Sequence, residues 1–132
     1  MNTLSLLLGV LLCSAVRADN LDALVKREQA NVDNEAVVVY GGKVGTLDAI
    51  FHIEWAGTGN PVDGHYYYPS RGKRKSYILK GNNPKAGVLN LQEYTVDAAG
   101  KRKLTATCRL TKRLTGTRVI WEGQMNNTDG RV

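Results

Sequence analysis

The chain has little of what small proteins use to staple themselves together or to do chemistry. Its 132 residues include two cysteines, two histidines, three prolines and one phenylalanine. Cys13 falls in an N-terminal segment expected to be removed, so Cys108 has no internal partner and packing must supply the stability. His52 and His65 stand in no metal-ligand spacing, and Ser70 and Ser76 lack the setting of a nucleophile elbow. Gly41-Gly42 and Gly57-Thr58-Gly59 read as turns, without the strand-loop-helix context of a phosphate-binding loop. These absences leave no catalytic constellation, and a non-enzymatic role without cofactor or metal is expected. Long apolar runs are missing too: the best, Leu4 to Leu12, is too short to span a bilayer as a helix.

That run is followed by Val16, Arg17 and Ala18, with compact residues where a signal peptidase needs them. Residues 1–18 therefore read as an export signal cleaved after Ala18, although the α-amino group is the only positive charge ahead of the apolar run. A buried N-terminal helix is the competing reading. Lipidation at Cys13 is disfavoured, because Leu12 stands where a lipobox needs a small residue. Export implies a periplasmic or extracellular site, and no membrane span is expected in the mature chain.

Residues 19–35 read as a short helix and linker, with Asn20 as cap and Leu21, Leu24 and Val25 at helical spacing, ending near Asn31. From residue 36 to 132 the period becomes two, and a single β domain is expected. Leu47, Ala49, Phe51, Ile53 and Trp55 alternate with Asp48, His52 and Glu54, the pattern of a half-buried strand. Further strands are expected at 35–40, 62–68, 75–80, 88–94, 103–111 and 117–123, with a short piece after Gly130. Turn signals separate them at 41–42, 57–61, 69–72, 81–84, 97–100 and 126–130. Brief turns without a crossover helix predict an all-β fold: an antiparallel up-and-down meander of seven or eight strands, closed as a small barrel or flattened into a sandwich.

Parity then assigns faces. Leu104, Ala106, Cys108 and Leu110 share one face, where Cys108 is an inert core thiol. Tyr66 and Tyr68 point to one side of their strand, and His65 and Tyr67 to the other. Glu93 shares the parity of Leu89 and Leu91, so it is expected inside, either accepting hydrogen bonds from hydroxyls such as those of Tyr66 or Tyr68 or carrying a raised pKa. His52, beside Glu54 on the outward face, reads as solvated surface.

Charge is lopsided. Residues 19–66 hold eight acidic against three basic side chains, whereas residues 67–132 hold fourteen basic against four acidic. Two turns concentrate the cations: Arg71, Lys73, Arg74 and Lys75 in one, Lys101, Arg102 and Lys103 in the other. In a meander, alternate turns fall at the same end, which permits the clusters to converge. With His65 and an exposed Tyr67 they form the candidate binding surface, suited to a polyanion or an acidic protein. Export makes nucleic acid a poor candidate, and a monomer is expected.

Tyr40-x-Gly42-x-Val44-Gly45, Gly64-x-Tyr66-x-Tyr68, Tyr77-x-Leu79-x-Gly81 and Leu89-x-Leu91-x-Glu93, with a looser ending from Gly116 to Trp121, resemble the strand motifs of a group of small secreted bacterial β-proteins, most without assigned function. Tyr77 stands where that pattern has an aliphatic residue. The resemblance implies a β-fold in the envelope or outside the cell and no particular activity. Two other roles fit such a fold. One is a lipocalin-like carrier with Trp55, Trp121 and Tyr66 lining a cavity; the other is a secreted inhibitor of a host enzyme such as lysozyme.

Overall fold

A computed structural model describes residues 2–7, 15–73 and 75–128. Cys13, Arg74 and the terminal piece expected after Gly130 lie outside the described residues. Strand β1 (Asn2–Leu7) is followed by helix α1 (Ala15–Ala30) and a meander of seven strands: β2 (Val37–Val44), β3 (Leu47–Glu54), β4 (Pro61–Tyr67), β5 (Ser76–Lys85), β6 (Val88–Val96), β7 (Arg102–Thr115) and β8 (Arg118–Asn127). Every neighbouring pair is antiparallel, and β1 pairs with both β8 and β2, so the sheet closes as a barrel rather than flattening into a sandwich. β1 lies within the stretch expected as an export signal, and α1 runs through the expected cleavage point and past the expected cap at Asn20.

The seven expected strands are all present, and three, β2, β5 and β8, are extended through residues read as turns, β8 as far as Asn127. β2 continues through Gly41-Gly42 because α1 packs on the outside of the barrel there. A Cβ on Gly41 would come within 2.8 Å of Val25 Cγ2, so glycine permits the close approach instead of turning the chain. β5 continues through Asn82 and Asn83, where the Asn83 amide donates to the carbonyls of Lys85 and Val88 and turns inward.

The interior follows the predicted parity with one exception. Phe51, Ile53, Tyr66, Leu79, Leu89, Leu91, Ala106 and Leu110 are buried, each large apolar side chain contributing about 1.5–3 kcal/mol. Phe51 stacks on Tyr66 at 4.7 Å between centroids, and Tyr66 on Tyr77 at 4.9 Å. The exception is Leu104. Glu93 pairs with Ala106 and Tyr94 with Leu104, leaving Thr105 as an extra residue on β7. This bulge turns Thr105 and Ala106 inward together and leaves Leu104 37% exposed beside Tyr94.

A smaller apolar cluster forms outside the barrel, where Leu21 and Val25 of α1 cover Val39, Ile50 and Tyr67. Gln29 completes this docking. Its Nε2 donates to Val37 O at 3.1 Å and its Oε1 accepts from Val39 N at 2.7 Å, so one side chain satisfies a stretch of β2 that β1 does not reach.

Candidate binding surface

The barrel's turns alternate between two ends. The β4–β5 connection, with Arg71, Lys73 and Lys75, and the β6–β7 turn, with Lys101, Arg102 and Lys103, fall at the same end, separated by β5 and β6. Two strand spacings of roughly 4.8 Å place their bases about 10 Å apart. Both basic clusters are thus brought to one rim, and their cations are exposed.

Each turn is held by its own chemistry. In the β6–β7 turn, Asp97 Oδ1 accepts from Ala99 N at 2.9 Å and Lys101 N at 2.8 Å, an Asx arrangement that fixes where Lys101 leaves the sheet. In the β4–β5 connection, Pro69–Arg71 form a single 3-10 turn and Ser76 Oγ donates to Lys73 O at 3.0 Å. Arg71 lies 5.4 Å from the Tyr68 ring centroid, placing a cation over an aromatic face. Tyr68 meets Tyr66 edge-on inside the barrel, so a column of rings runs from the core to this rim.

Glu93 anchors that column. It is 4% exposed and accepts hydrogen bonds from Tyr66 OH and from Thr105 Oγ1, the latter at 2.7 Å. Parity placed Glu93 inside and named Tyr66 as a partner; the second donor comes from the bulge. Burial, and then the charge of Glu93, push the Tyr66 hydroxyl far above the ordinary phenol range, so it stays a donor. Cys108, also inside, is pushed up to about 12 by burial and by Glu93, which leaves it an inert thiol at neutral pH.

Tyr67 and His52 need correction. Tyr67 does point outward, but α1 covers it: the ring is buried and its hydroxyl donates to Glu28 Oε2. His52, expected as solvated surface, donates from Nε2 to Glu28 Oε1 at 2.8 Å. Lys73 Nζ approaches the same carboxylate at 3.7 Å and sits 5.8 Å from the Tyr67 ring centroid, which ties one basic-turn cation to the helix. His65 stays exposed and stacks on His52 at 4.7 Å. Sequence reasoning passed over Glu28, although the helical stripe of Leu21 and Val25 reaches it one turn later.

The Glu28 cluster makes helix docking sensitive to pH. Burial raises the pKa of Glu28, but the hydrogen bonds from Tyr67 and His52 and the charge of Lys73 outweigh it and leave the pKa below its ordinary 4.5. Loss of hydration, then His52, hold His65 below its ordinary 6.5, with Glu28 opposing. Both folded values are depressed, so both groups contribute stability at neutral pH that is lost on acidification: for His65 as pH falls below 6.5, for Glu28 as it falls below 4.5. The thermal midpoint should therefore decline in two stages. His65→Asn should flatten the first and Glu28→Gln the second, and a pH profile identical in all three chains would refute this assignment.

No family model, curated protein or solved structure matches this chain.

Proposed function

We propose that this protein is an exported, non-enzymatic binding module whose basic barrel end grips an anionic polymer of the cell envelope. The observation that supports this reading is the meeting of two basic turns at one rim. Among the described residues, Arg71, Lys75, Lys101, Arg102 and Lys103 form no ion pair with a carboxylate, so five cations are available to a polyanion. Lys73 is already engaged by Glu28, and Tyr67 supports it from below instead of stacking on a ligand.

The carrier reading has less behind it, because the rings that would line its cavity pack on one another. Trp55 stacks on Trp121 at 5.4 Å, and Tyr66 lies between Phe51 and Tyr77. An inhibitor of a basic host enzyme would need the acidic part of the chain as its interface, since the basic rim would repel that partner.

The test is a salt-titrated pull-down of purified protein against envelope fractions, with polyphosphate as a defined polyanion. Five contacts give a slope of log affinity against log salt of roughly −3.5 to −4.5. Replacing Arg71, Lys75, Lys101, Arg102 and Lys103 with Ser should bring the slope close to zero. Lys73 is left in place so that α1 stays docked. Salt-independent binding, binding unchanged by the five substitutions, or capture of an acidic protein in place of a polymer would overturn the proposal.

A further inference from the structure

The strands not covered by α1 carry a second, chemically different surface. Strands β5 to β8 present a groove of about 780 Å³ on their outer face, within the range of small-ligand sites. Its walls are two aligned ladders of polar side chains. Lys80, Gln92, Thr107 and Asn126 are register partners across the four strands and form the first. Asn82, Asn90, Arg109 and Gln124 form the second, one step along each strand. Gly81, Leu91 and Cys108 lie between and beneath them.

Three features separate this surface from an ordinary solvated wall. Five of its eight polar side chains are carboxamides and none is a carboxylate, whereas exposed strand faces normally carry charge of both signs. Asparagine is disfavoured in strands, yet Asn82, Asn90 and Asn126 all occupy ladder positions, a local cost with no packing return. Most of these groups are also unengaged. Lys80 pairs with Asp63 and Gln92 accepts from Tyr94, but the side chains of Asn82, Asn90, Thr107, Arg109, Gln124 and Asn126 have no hydrogen-bond or ion-pair partner among the described residues.

A carboxamide offers two donors and an acceptor at fixed spacing, and a hydroxyl offers one donor and two acceptor sites. Rows of such groups match a ligand that repeats donors and acceptors along its length with little charge. Three strand spacings give the groove a span of about 14 Å. A nucleic acid or polyphosphate would require more cations than the one free guanidinium and one paired ammonium found here. An extended peptide would require an unpaired strand edge or side-chain pockets, and β5 to β8 are paired throughout. We infer that the β5–β8 groove is an oligosaccharide-binding site for a neutral or sparsely acidic glycan, read by the two carboxamide ladders, with Arg109 positioned for a sugar carboxylate. This site is independent of the basic rim.

The experiment titrates the full chain with maltotetraose, chitotetraose and the singly acidic sialyllactose, following backbone amide shifts by NMR. At least one should bind with a dissociation constant below about 1 mM, shifting amides of Asn82, Asn90, Arg109 and Gln124, with affinity changing less than about twofold between 50 and 500 mM salt because few ions are released. Asn90→Ala combined with Gln124→Ala should weaken it at least about tenfold, the loss of two hydrogen-bonding side chains. The five-serine rim variant should leave it unchanged. Absence of binding by all three at about 5 mM, shifts confined to other parts of the barrel, or equal weakening by the rim variant would overturn the assignment. Failure of polyphosphate binding would bear only on the rim.

Discussion

A chain carrying Gly81→Ala is expected to lose roughly 4 kcal/mol or more, the range reserved for severe core defects. Gly81 faces inward on β5 opposite Leu91, and a Cβ built there would overlap the carbonyl oxygen of Asn90 on β6. That oxygen belongs to a backbone paired on both sides, to β5 and to β7, so relief requires moving strands rather than rotating a side chain. Gly123 repeats the arrangement against the Arg109 carbonyl on β7. Gly41→Ala is the informative contrast. Its Cβ would meet only side chains, Val25 Cγ2 at 2.8 Å and Leu21 Cγ at 3.2 Å, and α1 can shift outward at an overpacking cost of about 1–3 kcal/mol. Urea denaturation of the Gly81→Ala, Gly123→Ala and Gly41→Ala chains measures this directly. A Gly81→Ala chain within about 1 kcal/mol of the parent, the scale of an ordinary substitution, would mean that the strands are not held this closely.

The same glycines show where the sequence was legible and where it was not. Apart from β1, whose residues read as an export signal, strand existence, order and pairing were readable because alternation from Leu47 to Trp55 and the brief turns carry the necessary information locally. Strand ends were not, since Gly41-Gly42 and Gly81-Asn82-Asn83-Pro84 have the composition of turns. Only tertiary neighbours, α1 in one case and β6 in the other, reveal that these glycines serve close packing. The Thr105 bulge has no local marker either, and it alone reverses the face of Leu104. Glu93 was legible in part: parity put it inside and the cost of burying a carboxylate demanded a hydroxyl donor such as Tyr66, but its second donor, Thr105, comes from the unmarked bulge. Tyr67 had the right face but the wrong environment, because alternation says which way a side chain points and not what covers it. Counting strands between the two basic turns permitted a common end without fixing it, because the strand number was open until the sheet order was seen. The carboxamide ladders escaped notice, because their alignment depends on the register across four strands.

Cutting the chain after Ala18, where export processing is expected, should have the other large effect. It removes β1 and leaves the seven-strand meander with β2 and β8 as edges. Gly41–Val44 lose the partners Leu4 to Leu7, and Ile120–Met125 lose Asn2 to Leu7. Val37 and Val39 stay satisfied because Gln29 of α1 bonds them, so the exposure on β2 is confined to its far half. Unpaired strand edges exchange amide protons readily and recruit other strands. In a chain of residues 19–132 at low micromolar concentration, hydrogen exchange in those two segments should accelerate at least about a hundredfold, or about 2.8 kcal/mol at 1.4 kcal/mol per tenfold. Amides of β5 to β7, paired on both sides, should change much less. A synthetic peptide with the sequence of residues 2–7 should restore protection to both edges, since it supplies the same backbone ladder. Unchanged exchange in the shortened chain would mean that β2 and β8 hold without this segment, and residues 2–7 would then act as a leader and not as part of the wall.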